Sequence, residues 1–138
     1  MKSRITRLLA TLVVVLVWSS SAYAACTNAQ FAGTWDVVFS DGNSCSLVLN
    51  KQGEVLTNPD RSLSICFDPF RGVTAVDEGT YAVDSDCSAS FGLAVEGLEI
   101  EMYGRIAQPR NIVAGFFVVF LTEDPFVEKG AFTMIRVE

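Results

Sequence analysis

The chain contains no histidine. That absence removes the side chain most often used as a general base near neutral pH, together with the commonest nitrogen ligand for zinc or copper. Its four cysteines include no C-x-x-C pair, so zinc-ribbon and thioredoxin-like readings lack the residues they require. No window sustains a helical period, which argues against bundles and alternating α/β architectures. The N-terminal apolar run, Leu8 to Trp18, is relieved only by Thr11 and falls well short of the ~20 residues a membrane span needs. Positive charge is scarce too, with 10 Lys and Arg against 16 Asp and Glu.

What is present begins with a three-part N-terminal pattern. Met1, Lys2, Arg4 and Arg7 form a basic stretch, Leu8 to Trp18 an apolar one, and Ala22-Tyr23-Ala24 a small-x-small cleavage site. These describe a secretory signal peptide over residues 1–24, with a single domain over 25–138. A membrane-anchoring helix is the competing reading, but it is too short. Lipidation of Cys26 is another; that motif wants an aliphatic residue where Tyr23 stands and would strand an odd number of cysteines. Cleavage removes three basic residues and no acidic ones, leaving seven against sixteen and a net charge of −9. A domain so acidic repels nucleic acid and anionic membrane surfaces, so neither is an expected partner. No membrane span is expected in the mature chain.

Export places Cys26, Cys45, Cys66 and Cys87 in an oxidising compartment, periplasmic or extracellular, where an even count means bridges. Three pairings are possible. The preferred one joins Cys45 to Cys66, closing a short loop worth about 3 kcal/mol, and Cys26 to Cys87.

Past the leader the chain alternates apolar and polar residues between turn signals. Trp35, Val37 and Phe39 are followed by the turn Asp41-Gly42-Asn43-Ser44 and then by Cys45, Leu47 and Leu49. Glu54 to Leu56 reads as a short strand, Asn58 to Arg61 as a loop, and Leu63, Ile65 and Phe67 as a strand. Pro69 and Gly72 make the stretch up to Glu78 irregular. The pattern resumes with Tyr81 and Val83, the turn Asp84-Ser85-Asp86, and Cys87, Ala89, Phe91 and Leu93. Leu98, Ile100, Met102 and Ile106 then face opposite to Glu99, Glu101, Tyr103 and Arg105. Ile112 to Leu121 and Gly130 to Val137 complete the set, and Thr27 to Ala32 fits one capped helical turn. The expected fold is all-β, a small antiparallel up-and-down β-barrel of about eight strands, with a β-sandwich as the alternative.

A glycine two residues before an aromatic recurs: Gly33-x-Trp35, Gly79-x-Tyr81, Gly115-x-Phe117 and Gly130-x-Phe132. Glycine there allows close backbone approach while the ring fills the core. Gly33-x-Trp35 on the first strand, with Arg136 near the end of the last, resembles the signature of calycin (lipocalin-type) barrels. That resemblance implies a barrel-closing pair in which the Arg136 guanidinium lies across the Trp35 indole. Locally the chain is most similar to the bacterial periplasmic metalloprotease inhibitors of this barrel class, through G-x-W, then Cys45-x-Leu47-x-Leu49, then Cys66. It departs from them in Cys26 and Cys87, whose bridge would tether the free N-terminal arm that such inhibitors use.

Candidates for chemistry are thin. Glu99 with Glu101, or Asp84 with Asp86, suggest a hydrolase dyad, and Asp41, Asp84 and Asp86 a calcium site. Alternating carboxylates on a solvated strand face and ordinary turn residues account for them equally. Ser88 and Ser90 have no base in view. The protein is expected to be a non-enzyme with no cofactor and no metal.

Ile112 to Leu121 is apolar at odd and even positions alike, so its outer face should be covered by something apolar. Three functions are therefore expected in turn. The first is a carrier for a small apolar ligand, with Trp35, Phe39, Tyr81, Phe91, Met102 and Phe117 lining the lumen. The second is a protein-binding module such as a peptidase inhibitor acting through its N-terminal segment. The third is a structural or assembly protein forming a homodimer through Phe116, Val118 and Phe120. Plain core packing is the simplest account of every aromatic in the list.

Overall fold

The computed structural model describes residues 25–57, 63–107, 110–121 and 127–137. The expected signal peptide and the loop expected at Asn58 to Arg61 lie outside them. One short helix, α1 (Asn28–Phe31), precedes nine strands: β1 (Gly33–Phe39), β2 (Ser44–Leu49), β3 (Ile65–Asp68), β4 (Gly72–Ala75), β5 (Glu78–Val83), β6 (Ser88–Val95), β7 (Leu98–Ala107), β8 (Ile112–Leu121) and β9 (Val127–Val137).

All nine strands belong to one antiparallel, barrel-like sheet in the order β4-β3-β2-β1-β9-β8-β7-β6-β5, not to the two facing sheets of a sandwich. Every neighbour is sequential except β1 and β9, whose pairing joins the two ends of the domain. Residues 53–56 stitch the curled sheet across its gap. On one side, Leu56 N donates to Val48 O (2.7 Å) and Asn50 N to Glu54 O (3.0 Å). On the other, Val55 N donates to Gly79 O (2.9 Å) and Tyr81 N to Gly53 O (2.7 Å). The short strand expected at 54–56 is thus reduced to two isolated bridges that link β2 to β5.

β2 therefore has a divided edge. Its first half, Ser44 to Ser46, pairs with β3, while its second half faces the 53–56 segment. Ser64, fully buried, sits at the division. Its hydroxyl donates to Leu56 O (2.7 Å) and accepts from Val48 N (3.0 Å), satisfying backbone groups that neither ladder reaches.

The stretch expected to be irregular after Pro69 contains β4 instead. Asp68 pairs with Gly72 across the loop Pro69-Phe70-Arg71, and the Asp68 carboxylate accepts from the backbone N of Phe70 (2.7 Å) and Arg71 (3.1 Å). Gly72 adopts φ +88°, the left-handed geometry that lets a tight loop re-enter a strand. Proline and glycine here punctuate a hairpin rather than abolish it, and they leave Phe70 almost fully exposed, at 97%, on its tip.

Alternation along the strands sorts side chains cleanly. Tyr81, Phe91, Met102 and Phe117 form one continuous inner row across β5 to β8, ending at Gly130 on β9. The row ends in a glycine because the Phe117 ring occupies the space; a Cβ on Gly130 would lie 2.5 Å from Phe117 Cε1. Beside it, Phe132 on β9 lies across from Gly115 on β8, so the two G-x-F units interlock with each ring over the other's glycine.

The end carrying α1 is closed. Thr27 caps the helix, and Phe31 stacks on Trp35 with ring centroids 4.0 Å apart, while Tyr81 and Phe91 lie 6.0 Å from Phe31. Trp35 Nε1 donates to Phe31 O at 2.9 Å, so the one polar atom of the indole is satisfied inside the plug. The Cys26–Cys87 bridge fastens this end, and the Cys45–Cys66 bridge joins β2 to β3 near the other. This is the pairing preferred from the sequence.

The outer face of β8 departs from expectation. Phe116 is 56% exposed, and among the described residues only Tyr103 stacks on it, with centroids 5.4 Å apart. Val118 and Phe120 share that outward parity and are half-buried, while Phe117 points inward and is buried. No second layer of the described chain covers the strand; the inward residues supply the core alone.

Candidate functional site

The two ends of the barrel are built differently, and the difference creates the site. At the α1 end the aromatic plug leaves little space. At the opposite end, where β1, β6 and β8 finish and β2, β7 and β9 begin, a cavity of about 280 Å³ opens to solvent. That volume lies at the lower edge of the ~300–1,000 Å³ range of small-molecule pockets.

Each wall follows from strand parity. Val95, Leu98, Ile100, Val119 and Leu121 are inward residues of β6, β7 and β8 beyond the last filled row. Phe39 and Phe117 form the floor, packed edge to face at 4.9 Å. The Cys45–Cys66 cystine and Thr74 supply the opposite side, so the bridge is part of the wall as well as a clamp.

The rim is acidic. Asp41 and Asn43 come from the β1–β2 turn, Asp68 and Arg71 from the β3–β4 hairpin, Glu96 from the β6–β7 turn and Glu128 from β9. Asp41 is held in its turn by accepting from Asn43 N (2.9 Å) and Nδ2 (2.8 Å). Among the described residues four carboxylates thus face one guanidinium around the opening.

Of the six residues expected to line the lumen, Phe39 and Phe117 border this cavity. Trp35, Tyr81, Phe91 and Met102 lie in the packed core away from it, buried to 5% exposure or less. Arg136 lies over Trp35, with Cζ 4.9 Å from the ring, and its guanidinium donates to the backbone O of Gln30 in α1. The sequence reading missed the rim residues Asp68, Arg71, Glu96 and Glu128. Periodicity marks which side chains point inward, and Leu98 and Ile100 were legible in that way. It does not say at which level a row stops being filled.

The other candidates lie elsewhere. Glu99 and Glu101 stand on the outer face of β7, in a wider and more open groove of about 590 Å³ shared with Glu54 and Glu78, and Glu101 accepts from the Tyr103 hydroxyl at 2.8 Å. That hydrogen bond and the negative charge behind it raise the Tyr103 pKa. Asp84 and Asp86 form a turn around Ser88: Asp86 accepts from Ser88 Oγ (2.6 Å) and N (3.0 Å), and Asp84 lies 3.3 Å from the same hydroxyl. Those hydrogen bonds, with weaker help from Arg105, lower the Asp86 pKa. Asp41 is at the opposite end of the barrel from both. Ser90 is half-buried on β6.

The chain matches no known family model and no curated protein sequence.

Proposed function

We propose that this protein is an exported, non-enzymatic binding barrel that holds a small apolar ligand in its open end. The observation that carries the reading is the asymmetry of the core: one end plugged by stacked aromatics, the other an apolar cavity of about 280 Å³ open to solvent. A domain selected only for stability would gain by filling such a space, since each lost methylene of packing costs about 1 kcal/mol. The two disulfides point to an oxidising, exported environment, which we read as periplasmic or extracellular. The contact between Arg136 and Trp35 supports a calycin-like barrel. The peptidase-inhibitor reading is weakened by the Cys26–Cys87 bridge, which fastens the segment such an inhibitor would insert.

A native mass spectrum of protein purified undenatured from its export compartment tests the reading. The expected result is an adduct of small-molecule mass on the monomer, lost in Val119→Trp, which fills the cavity without touching the plug. A bare chain in both proteins, with no uptake of added naphthalene-sized probes, overturns it.

A second reading, a homodimer through the outer face of β8, is favoured by the exposed Phe116 and Tyr103 stack. Sedimentation velocity over a hundredfold concentration range decides it: a dimer converted to monomer by Phe116→Glu supports it, and a monomer throughout removes it.

A further inference from the structure

We infer that the ligand of the open end is a cationic amphiphile, an apolar body of modest size bearing an ammonium or similarly protonated nitrogen. This rests on the binding-barrel reading and adds to it the charge of the ligand.

The decisive residue is Glu128. On β9 it has the parity of Phe132 and Met134, which are buried in the core, and it lines the open end of the cavity, where its own side chain is exposed to solvent. It closes the inner row Leu93–Ile100–Val119–Glu128, the row immediately above the filled one. Its backbone lies opposite Val119 in the β8–β9 ladder, while among the described residues its carboxylate has no hydrogen bond and no ion pair. An apolar residue there would extend the hydrophobic wall of the cavity. A carboxylate instead sets an unneutralised negative charge above an apolar cavity, an arrangement suited to a ligand that is greasy at one end and positive at the other.

The rest of the rim has the same sign. Glu96 also lacks a side-chain partner among the described residues, and Asp41 and Asp68 are held in place by hydrogen bonds within their own turns. Among the described rim residues Arg71 alone opposes them, so those residues sum to three net negative charges. An anionic amphiphile meets repulsion from this rim, a neutral one gains nothing from it, and a cation is attracted. Because Glu128 is exposed, its pairing with an ammonium is worth up to about fivefold in affinity, and the rim acts through the sum of its carboxylates.

The test uses three probes that share one apolar body: naphthylmethylammonium, naphthylmethanol and naphthoate, titrated calorimetrically into the oxidised mature protein after exchange of co-purified ligand. The expected order is ammonium tightest by about tenfold, then the alcohol, then the carboxylate, with the ammonium's advantage shrinking as salt rises. Glu128→Gln should weaken the ammonium about two- to fivefold and leave the alcohol unchanged. Glu99→Gln, on the outer face, should alter neither.

Equal binding of ammonium and alcohol overturns the inference while leaving the binding barrel standing. So does an equal loss in Glu128→Gln and Glu99→Gln, which would trace the preference to net charge rather than to the rim. Failure of all three probes to bind overturns the binding barrel itself.

Discussion

Tyr81 shows how much one buried polar atom can tie together. Its ring belongs to the inner row and stacks with Phe91 at 6.0 Å, while its hydroxyl reaches the carbonyls of Asn28, the first residue of α1, and Asn50 after β2. Asn28 returns the contact, accepting from Val83 N at 2.8 Å. Burial raises the Tyr81 pKa above the usual 10.0, with Arg136 pulling more weakly the other way. The folded state therefore keeps a proton that the unfolded chain would release. Its contribution to stability is complete below pH ~10 and is lost as pH rises through the folded value. Tyr81→Phe should cost about 1–2 kcal/mol at neutral pH, read as a lower urea midpoint at constant m, and should flatten the alkaline fall in stability. The inward aromatic was legible from alternation; its hydroxyl partners were not, because they lie 53 and 31 residues away in sequence.

Among the strands, the recurrent glycine-x-aromatic unit was visible as a repeat, and close backbone approach was the reason assigned to it. The structure supplies the geometry. A Cβ on Gly115 would fall 2.5 Å from Gly104 Cα and still nearer the Tyr103 carbonyl, so β7 and β8 approach each other at a glycine pair beneath Phe132. Gly79 is also close, its Cβ position lying 2.9 Å from both Val55 and Leu93. Because these obstacles are backbone at Gly115 and mobile side chains at Gly79, the two sites should respond differently. Gly115→Ala should destabilise by about 2 kcal/mol or more and Gly79→Ala by less, a ranking that thermal melts of the two variants will settle. At the β3–β4 hairpin the same residue types misled: Pro69 and Gly72 read as breakers, yet Asp68 caps the loop and both strands pair. Local signals mark where a chain turns, and only a partner strand decides whether it turns back into a sheet.

For the molecule as a whole, the disulfides lie at opposite ends and do different work. Cys26–Cys87 spans 61 residues and holds the plug end; Cys45–Cys66 spans 21 and forms part of the cavity wall. On the loop-entropy account they contribute about 4 and about 3 kcal/mol. Replacing both cysteines of the first pair with alanine should lower stability more while sparing probe affinity. The same change in the second pair should cost less stability and weaken probe binding, which denaturant melts and calorimetry on the two variants will separate.

The division between sequence and tertiary structure follows from range. Absence of histidine and of C-x-x-C, the excess of acidic residues, the two-residue alternation and the even cysteine count are local or compositional, and they sufficed for an all-β, disulfide-bonded, acidic domain. Which way each side chain points is also local, because successive Cβ atoms in a strand alternate. How far the interior is filled is not. Filling depends on which residues from five or more strands meet at one level, on α1 folding back to place Phe31 against Trp35, and on Glu128 standing at the end of an otherwise apolar row. Those juxtapositions arise only when register brings distant segments together, so the open end of the barrel and the charge around it were decided by the tertiary structure alone.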